Sequence, residues 1–367
     1  MPPSQGAGDD GVVDTLKARL AHALSGRYRI SEVLGKGGMG VVFLGHDLAQ
    51  KRDVAIKVLR PELSTDANGI ARFEREAEIS ASLDHPGIIP IYEVGNEQGL
   101  NYFVMKYVEG CSLDALLKSR KVEQRPLPIP AITRILSDAA ATLAYAHAQG
   151  VVHRDVKPAN IMLDEESRVL LTDFGISKSA VTSDSATTAA ALTEYGTVLG
   201  TPHYLAPEQA LSRTVDGRAD QYALGVVGFE MLTGSVPFDD ETSHGIIHQH
   251  VSELPPRVTI ARPDTPPRLA AAIARALMKA PSHRFADLRE FARAIEPDAA
   301  RAARRWRRAR QAAAALVLAG ALAAGAWKIT RPAARTATLP VTRPAPTRSA
   351  AAQQRPAPRP HSVSPHR

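Results

Sequence analysis

The chain has 367 residues, 44% of them hydrophobic, enough for a two-lobed domain of about 250–300 residues plus appendages. The net charge of +7 belongs to the tail: from residue 297 onward there are 14 Lys/Arg and one acid, Asp298, against 31 Lys/Arg and 37 acids before it. A nucleic-acid-binding reading of the basic balance therefore loses its force, because apart from Trp306 and Trp327 no aromatics interleave the tail's cations. The single cysteine, Cys111, excludes an intrachain disulfide, fits a reducing compartment and reads as a small buried hydrophobe.

Residues 1–11 are rich in Pro, Gly and Asp and carry no apolar run, so no signal peptide is expected. Asp14 is placed to cap a short amphipathic helix through about Leu24, with Leu16, Leu20 and Leu24 on one stripe. Tyr28 to Phe43 reads as strand, turn, strand. The turn is Gly35-Lys36-Gly37-Gly38-Met39-Gly40, whose glycines at the first, third and sixth positions let backbone N–H groups close over phosphates. Lying between two strands and not before a helix, it points to a phosphate-covering hairpin rather than a dinucleotide fold.

Val54-Ala55-Ile56-Lys57 alternates as a strand with one lysine. A helix over Ile70–Leu83 offers Glu74, Glu76 and Glu78 as partners for that lysine. Ile88–Tyr92 and Tyr102–Tyr107 read as strands joined by a turn at Gly95–Gly99. Val108-Glu109-Gly110 reads as a linker between lobes, and Ser112 as the cap of a helix. A long helix follows over about Ala131–Gly150. Next comes Val152-His153-Arg154-Asp155-Val156-Lys157-Pro158-Ala159-Asn160, which puts a potential base, a cation and a metal-ligating amide into six residues. Asp173-Phe174-Gly175 adds a second carboxylate thirteen residues past Asn160, so a short hairpin between them brings both to one divalent ion.

Residues 177–200, rich in Ser, Thr and Ala, read as a loop. Gln221–Gly234 is almost wholly apolar and reads as a buried helix, with shorter helices at about 242–252, 266–279 and 286–295. Six arginines crowd residues 301–310. Ala312–Trp327 then runs 16 residues without a charge, nine of them alanine. Counted from Gln311 to Ile329, with Lys328 snorkelling, that run is long enough to cross a bilayer. The arginine cluster would hold the preceding chain in the cytoplasm. Residues 330–367, with eight prolines, seven arginines and no acid, read as a disordered tail.

Together these segments resemble the Hanks-type serine/threonine protein kinases, most closely the bacterial membrane-anchored branch. The motifs are the glycine loop 35–40, Val54-Ala55-Ile56-Lys57, Glu76, His153-Arg154-Asp155 through Asn160, Asp173-Phe174-Gly175 and Ala206-Pro207-Glu208, six in family order. The resemblance implies an α+β, bilobal fold over residues 28–296: a small lobe of antiparallel sheet with one helix, and a larger helical lobe. Around it lie an N-terminal extension (1–27), a basic juxtamembrane segment (297–311), a single transmembrane helix (312–329) and the tail.

The resemblance also implies transfer of the γ-phosphate of ATP to Ser/Thr hydroxyls of proteins, with Mg²⁺ or, in its place, Mn²⁺. By analogy Lys57, held by Glu76, binds the α/β-phosphates, and Asn160 and Asp173 hold the metal. Asp155 takes the substrate proton, Lys157 neutralises the γ-phosphate, and Thr201 bonds toward both. Leu34, the glycine loop, Val42, Ala55, Met105 and Met162 line the nucleotide pocket, with backbone groups of Lys106 and Val108 as partners. Glu208 is expected to pair with Arg284, and Asp220 with the backbone near His153. Arg154 implies gating by a phosphorylated activation loop, with Thr193 first and Thr197 second as the site, and a homodimer as a route to phosphorylation in trans. The competing readings are a pseudokinase scaffold, a small-molecule kinase and a binder of nucleic acid or membrane acting through the basic tail. The first is disfavoured by Lys57, Asp155 and Asp173 all being present, and the second by Ala206-Pro207-Glu208.

Overall fold

The structure, a computed structural model, describes residues 6–64, 66–174 and 202–296. Thr193, Thr197, Thr201 and the segment 312–329 lie outside the described residues.

The small lobe is a five-stranded antiparallel sheet in the order β1-β2-β3-β5-β4, made by β1 (Tyr28–Lys36), β2 (Gly40–Asp47), β3 (Arg52–Leu59), β4 (Ile91–Glu97) and β5 (Leu100–Lys106). Both faces of this sheet are covered. Helix α2 (Ala67–Ser82) packs Phe73 and Ala77 against Ala55, Leu59 and Phe103 on one face. Helix α1 (Gly6–Ala23), followed by Leu24, lays Val13, Leu16, Leu20 and Leu24 over Phe43, Val54, Ile56 and Val58 on the other. That is why Val54 to Leu59 is buried without alternation, contrary to the half-exposed strand the sequence predicts.

Three sequence expectations are corrected here. Asp14 lies inside α1 and does not cap it. The apolar stripe begins at Val13, and the helix extends N-terminally to Gly6. Gly95 is not a turn residue. It sits in β4 because a Cβ there would lie 2.5 Å from the Tyr102 hydroxyl, so only glycine lets that ring lie across the strand. The turn is the two-residue Gln98-Gly99, both with positive φ, as a tight hairpin requires. Cys111 is exposed, not buried.

The large lobe begins with β6 (Gly110–Ser112), which joins β7 (Ile161–Asp164) and β8 (Val169–Leu171) in a small antiparallel sheet. Helix α3 (Leu113–Val122) is capped by Ser112, whose hydroxyl accepts from the Ala115 N–H at 3.1 Å. Helix α4 (Ile129–Ala148) and helix α6 (Gly217–Thr233) form the lobe's core, through Ile132, Leu136, Leu143, Tyr222, Leu224 and Val227. Around them lie α5 (Pro207–Ala210), α7 (Ser243–Ser252), α8 (Val258–Ala261), α9 (Pro267–Ala276) and α10 (Leu288–Ile295). No helix among the described residues is long and apolar enough to cross a membrane.

Candidate active site

The cleft between the lobes is roofed by the β1–β2 hairpin. The Gly37 N–H donates to the Gly40 carbonyl at 2.9 Å, and the Arg60 guanidinium donates to the Gly37 carbonyl at 3.0 Å. A Cβ on Gly40 would lie 2.6 Å from the Val58 carbonyl, so no other residue lets β2 run this close to β3. Lys36, Gly38 and Met39 occupy the hairpin tip. Leu34 is 40% exposed, whereas Ala55, Met105 and Val108 are buried and Val42 and Met162 pack against them. The Lys106 N–H is already given to the Pro90 carbonyl at 3.0 Å.

Lys57 stands beneath this roof. Its Nζ donates to Glu76 Oε1 at 2.6 Å and to Asp173 Oδ1 at 3.0 Å. Of the three candidate glutamates, only Glu76 faces inward; Glu78 reaches Arg75 on the surface. Burial works against the charge on Lys57, but Asp173 and Glu76 more than offset it and hold the ammonium above the ordinary lysine range. Burial raises Glu76 and Lys57 pulls it back. The low-dielectric surroundings work against the charge on Asp173, which keeps 35% side-chain exposure, but Lys57 holds it below the usual carboxylate range. Phe174 is buried against the His153 ring, centroids 4.6 Å apart, which aims the preceding Asp173 into the cleft.

Below Lys57, Asp155 Oδ2 accepts from Lys157 Nζ at 2.7 Å. Asn160 Nδ2 donates to the Asp155 carbonyl at 2.9 Å, which leaves Asn160 Oδ1 as its cleft-side acceptor. A carboxylate and an amide oxygen are hard donors, the set Mg²⁺ accepts alongside phosphate oxygens. The residues present therefore fit a divalent cation.

Two residues of this floor hold left-handed backbone without being glycine: Arg154 at φ 64° and Asp173 at φ 57°. Such conformations cost on the order of 1–3 kcal/mol each. At Arg154 the structure shows what enforces it. Asp220, buried on α6, accepts the N–H groups of His153 and Arg154 at 2.8 and 2.7 Å. Gln209 donates to the Arg154 carbonyl at 2.9 Å. The His147 ring meets the same Asp220 carboxylate at 2.7 Å.

The protein kinase domain family model matches residues 28–293. The chain belongs to the protein kinase family. It is 40% identical over 266 residues to serine/threonine-protein kinase PknB of Mycolicibacterium smegmatis, covering 71% of this chain and 41% of that one. It is likewise 40% identical to serine/threonine-protein kinase PrkC of Bacillus subtilis, covering 72% and 39%. The chain thus spans about two fifths of the length of these curated relatives. Among solved structures it resembles the Mycobacterium tuberculosis PknI kinase domain, with a TM-score of 0.57, 33% identity and coverage of 74% of this chain and 95% of that one.

In this member of the protein kinase family Arg284, on the loop before α10, is a buried hub. Its guanidinium donates to both oxygens of Glu208, at 2.7 and 2.8 Å, and to the carbonyls of Arg218, Met278 and Lys279. His147, Gln209 and the Tyr204–Glu230 bond at 2.7 Å escaped the sequence reading. Each partner lies 26 or more residues away along the chain, and none carries a local pattern.

Proposed function

We propose that this kinase transfers the γ-phosphoryl group of ATP to serine and threonine hydroxyls of proteins. The observation that carries the reading is the joined cluster of Glu76, Lys57 and Asp173 above Asp155, Lys157 and Asn160 in one cleft. Phosphoryl transfer passes through a loose transition state, so positioning and neutralisation dominate. Lys57, oriented from both sides by carboxylates, pairs with the α/β-phosphates. The adenine amino group meets the Lys106 carbonyl, since that residue's N–H is already committed. Asp173 and Asn160 would hold Mg²⁺, which when bound neutralises phosphate charge. Asp155 orients the substrate hydroxyl and accepts its proton as the oxygen attacks phosphorus and the bond to the β-phosphate oxygen breaks. Lys157 balances charge on the transferred group, and Thr201 serves as a further hydrogen-bond partner of Asp155 and Lys157.

Regulation is assigned to the segment between Asp173 and Glu208. Arg154 beside Asp155 supplies a cation for a phosphothreonine there, at Thr193 or, second, Thr197, reached in trans within a homodimer. Mass spectrometry of active wild-type protein is expected to find phosphate at one of these threonines and none in Asp155→Asn; active enzyme with neither site phosphorylated contradicts this regulation. Residues 312–329 are assigned a single membrane span, with 297–311 at the inner surface and the kinase domain in the cytoplasm, supported by the uncharged run and the flanking arginines. Full-length protein should remain with membranes after alkaline carbonate while a chain ending at residue 296 is released. Release of both would remove the span.

A further inference from the structure

A second cavity, about 530 Å³, opens in the large lobe apart from the cleft. Its walls are the C-terminal end of α3, the α3–α4 turn, the last turn of α6 and the residues that follow α8. The floor is apolar and buried: Leu127, Met231 and Leu232. The rim is cationic: Arg120, Lys121, Arg125 and Arg262 line it, with Asp264 as the one acid among the lining residues. Arg262 is engaged by Asp264 at 3.3 Å and by the Leu127 carbonyl, and Arg120 reaches Glu123 at 3.6 Å. Neither Lys121 nor Arg125 has an ion-pair partner among the described residues.

Arg120 and Lys121 also sit in the last turn of α3, where cations suit the helix dipole. That accounts for two of the four. Arg125 and Arg262 come from other segments and converge on the same opening. Like charges gathered around a concave apolar floor raise the local concentration of anionic groups. Val122 and Ile260, 85% and 77% exposed, belong to the elements that wall the cavity and offer apolar contact outside it.

Two elements lead from the neighbourhood of the cleft to the cavity. Glu230 on α6 bonds Tyr204, three residues beyond Thr201, and the cavity begins at the next residue, Met231. On the other wall, α3 starts beside the cleft and ends at the cavity, about 15 Å on. A polypeptide with its hydroxyl at Asp155 needs at least about five extended residues to cover that length.

We propose, building on the kinase reading above, that this cavity docks an acidic segment of the protein substrate, anchored by one or two apolar side chains and separate from the phosphorylated hydroxyl. Charge complementarity excludes the chain's own tail, which has 14 Lys/Arg and one acid from residue 297 onward. The docking site lowers KM for substrates that carry the segment and leaves the chemical step alone.

The test uses the full chain and three synthetic threonine peptides. One carries the stretch Glu-Asp-Leu-Glu-Ile at a spacing of roughly five to eight residues before the threonine, one carries it at that spacing after, and one lacks it. Wild type should bind and phosphorylate one of the tailed peptides with Kd and KM about tenfold lower than the plain one, at equal kcat. The exposed double variant Lys121→Glu/Arg125→Glu should lose that preference and keep its activity on the plain peptide and its melting temperature. Equal Kd for all three peptides in wild type overturns the proposal, as does a preference that survives in the double variant. A preference lost only when residues 297–367 are removed overturns it too and places the binding on the tail. Fluorescence anisotropy reads binding without catalysis, so a chain that fails to phosphorylate any peptide refutes the kinase reading while docking is still decided.

Discussion

At His250 the fold has placed a titratable ring where it has no exposure. Nδ1 meets the Tyr222 hydroxyl at 2.9 Å, the ring packs edge-on against Phe238, and Nε2 has no partner among the described residues. Burial, reinforced by the nearby Lys279 ammonium and partly opposed by the His203 backbone, pushes its pKa down to about 4 from 6.5. The folded protein therefore holds the neutral ring while the unfolded chain takes a proton below about pH 6.5. Stability from this site is present above pH 6.5 and is lost as the pH falls toward 4, up to about 3 kcal/mol in all. Denaturant midpoints across pH 4–7 should fall more steeply in wild type than in His250→Gln; identical slopes would refute the assignment. Residue identity at the cleft was mostly readable beforehand, because Lys57, Asp155, Asn160 and Asp173 lie in short motifs of fixed spacing. The left-handed backbone at Arg154 was not, because it is imposed by Asp220 and Gln209, 66 and 55 residues away.

At the scale of elements, α1 departs most from what the sequence predicts. It buries Val13, Leu16, Leu20 and Leu24 on the sheet face opposite α2, all at 3% exposure or less. Asp10 on α1 also pairs with Lys36 of the glycine hairpin at 2.5 Å. The two carry 74% and 35% side-chain exposure, so that pair contributes little on its own. Removing residues 1–24 uncovers Phe43, Val54, Ile56 and Val58, each worth about 1.5–3 kcal/mol when fully buried. The truncated protein should melt well below wild type and bind a hydrophobic dye, whereas Asp10→Ala should melt within about 1 °C of it. An unchanged melting point after truncation would mean that α1 does not cover the sheet. The stripe Leu16-Leu20-Leu24 was legible. Its docking surface was not, because a strand covered on both faces and one covered on a single face differ little over four residues such as Val54–Lys57. The misreading of Gly95 has the same origin: a glycine that admits the Tyr102 ring looks like a turn until the partner strand is in place.

Across the whole molecule, the two lobes serve one arrangement. The small lobe carries Lys57 and Glu76 on β3 and α2. The large lobe carries Asp155, Lys157, Asn160 and Asp173 on segments pinned by Asp220 and, farther out, by the buried Glu208–Arg284 pair. Lys57 bridges them through Asp173. The bilobal plan was legible because the motifs occur in the order that such a fold requires. The cationic cavity was not, since Arg125 and Arg262 are far apart in sequence and meet only at the end of α6. The most direct measurement is transfer of radiolabelled γ-phosphate from ATP with Mg²⁺ to a serine/threonine protein substrate by the purified chain, alongside Asp155→Asn. The account predicts label on serine or threonine with wild type and a loss of at least about 100-fold with the variant, the scale of a positioned general base. Equal transfer by both proteins, or none by either, would contradict it.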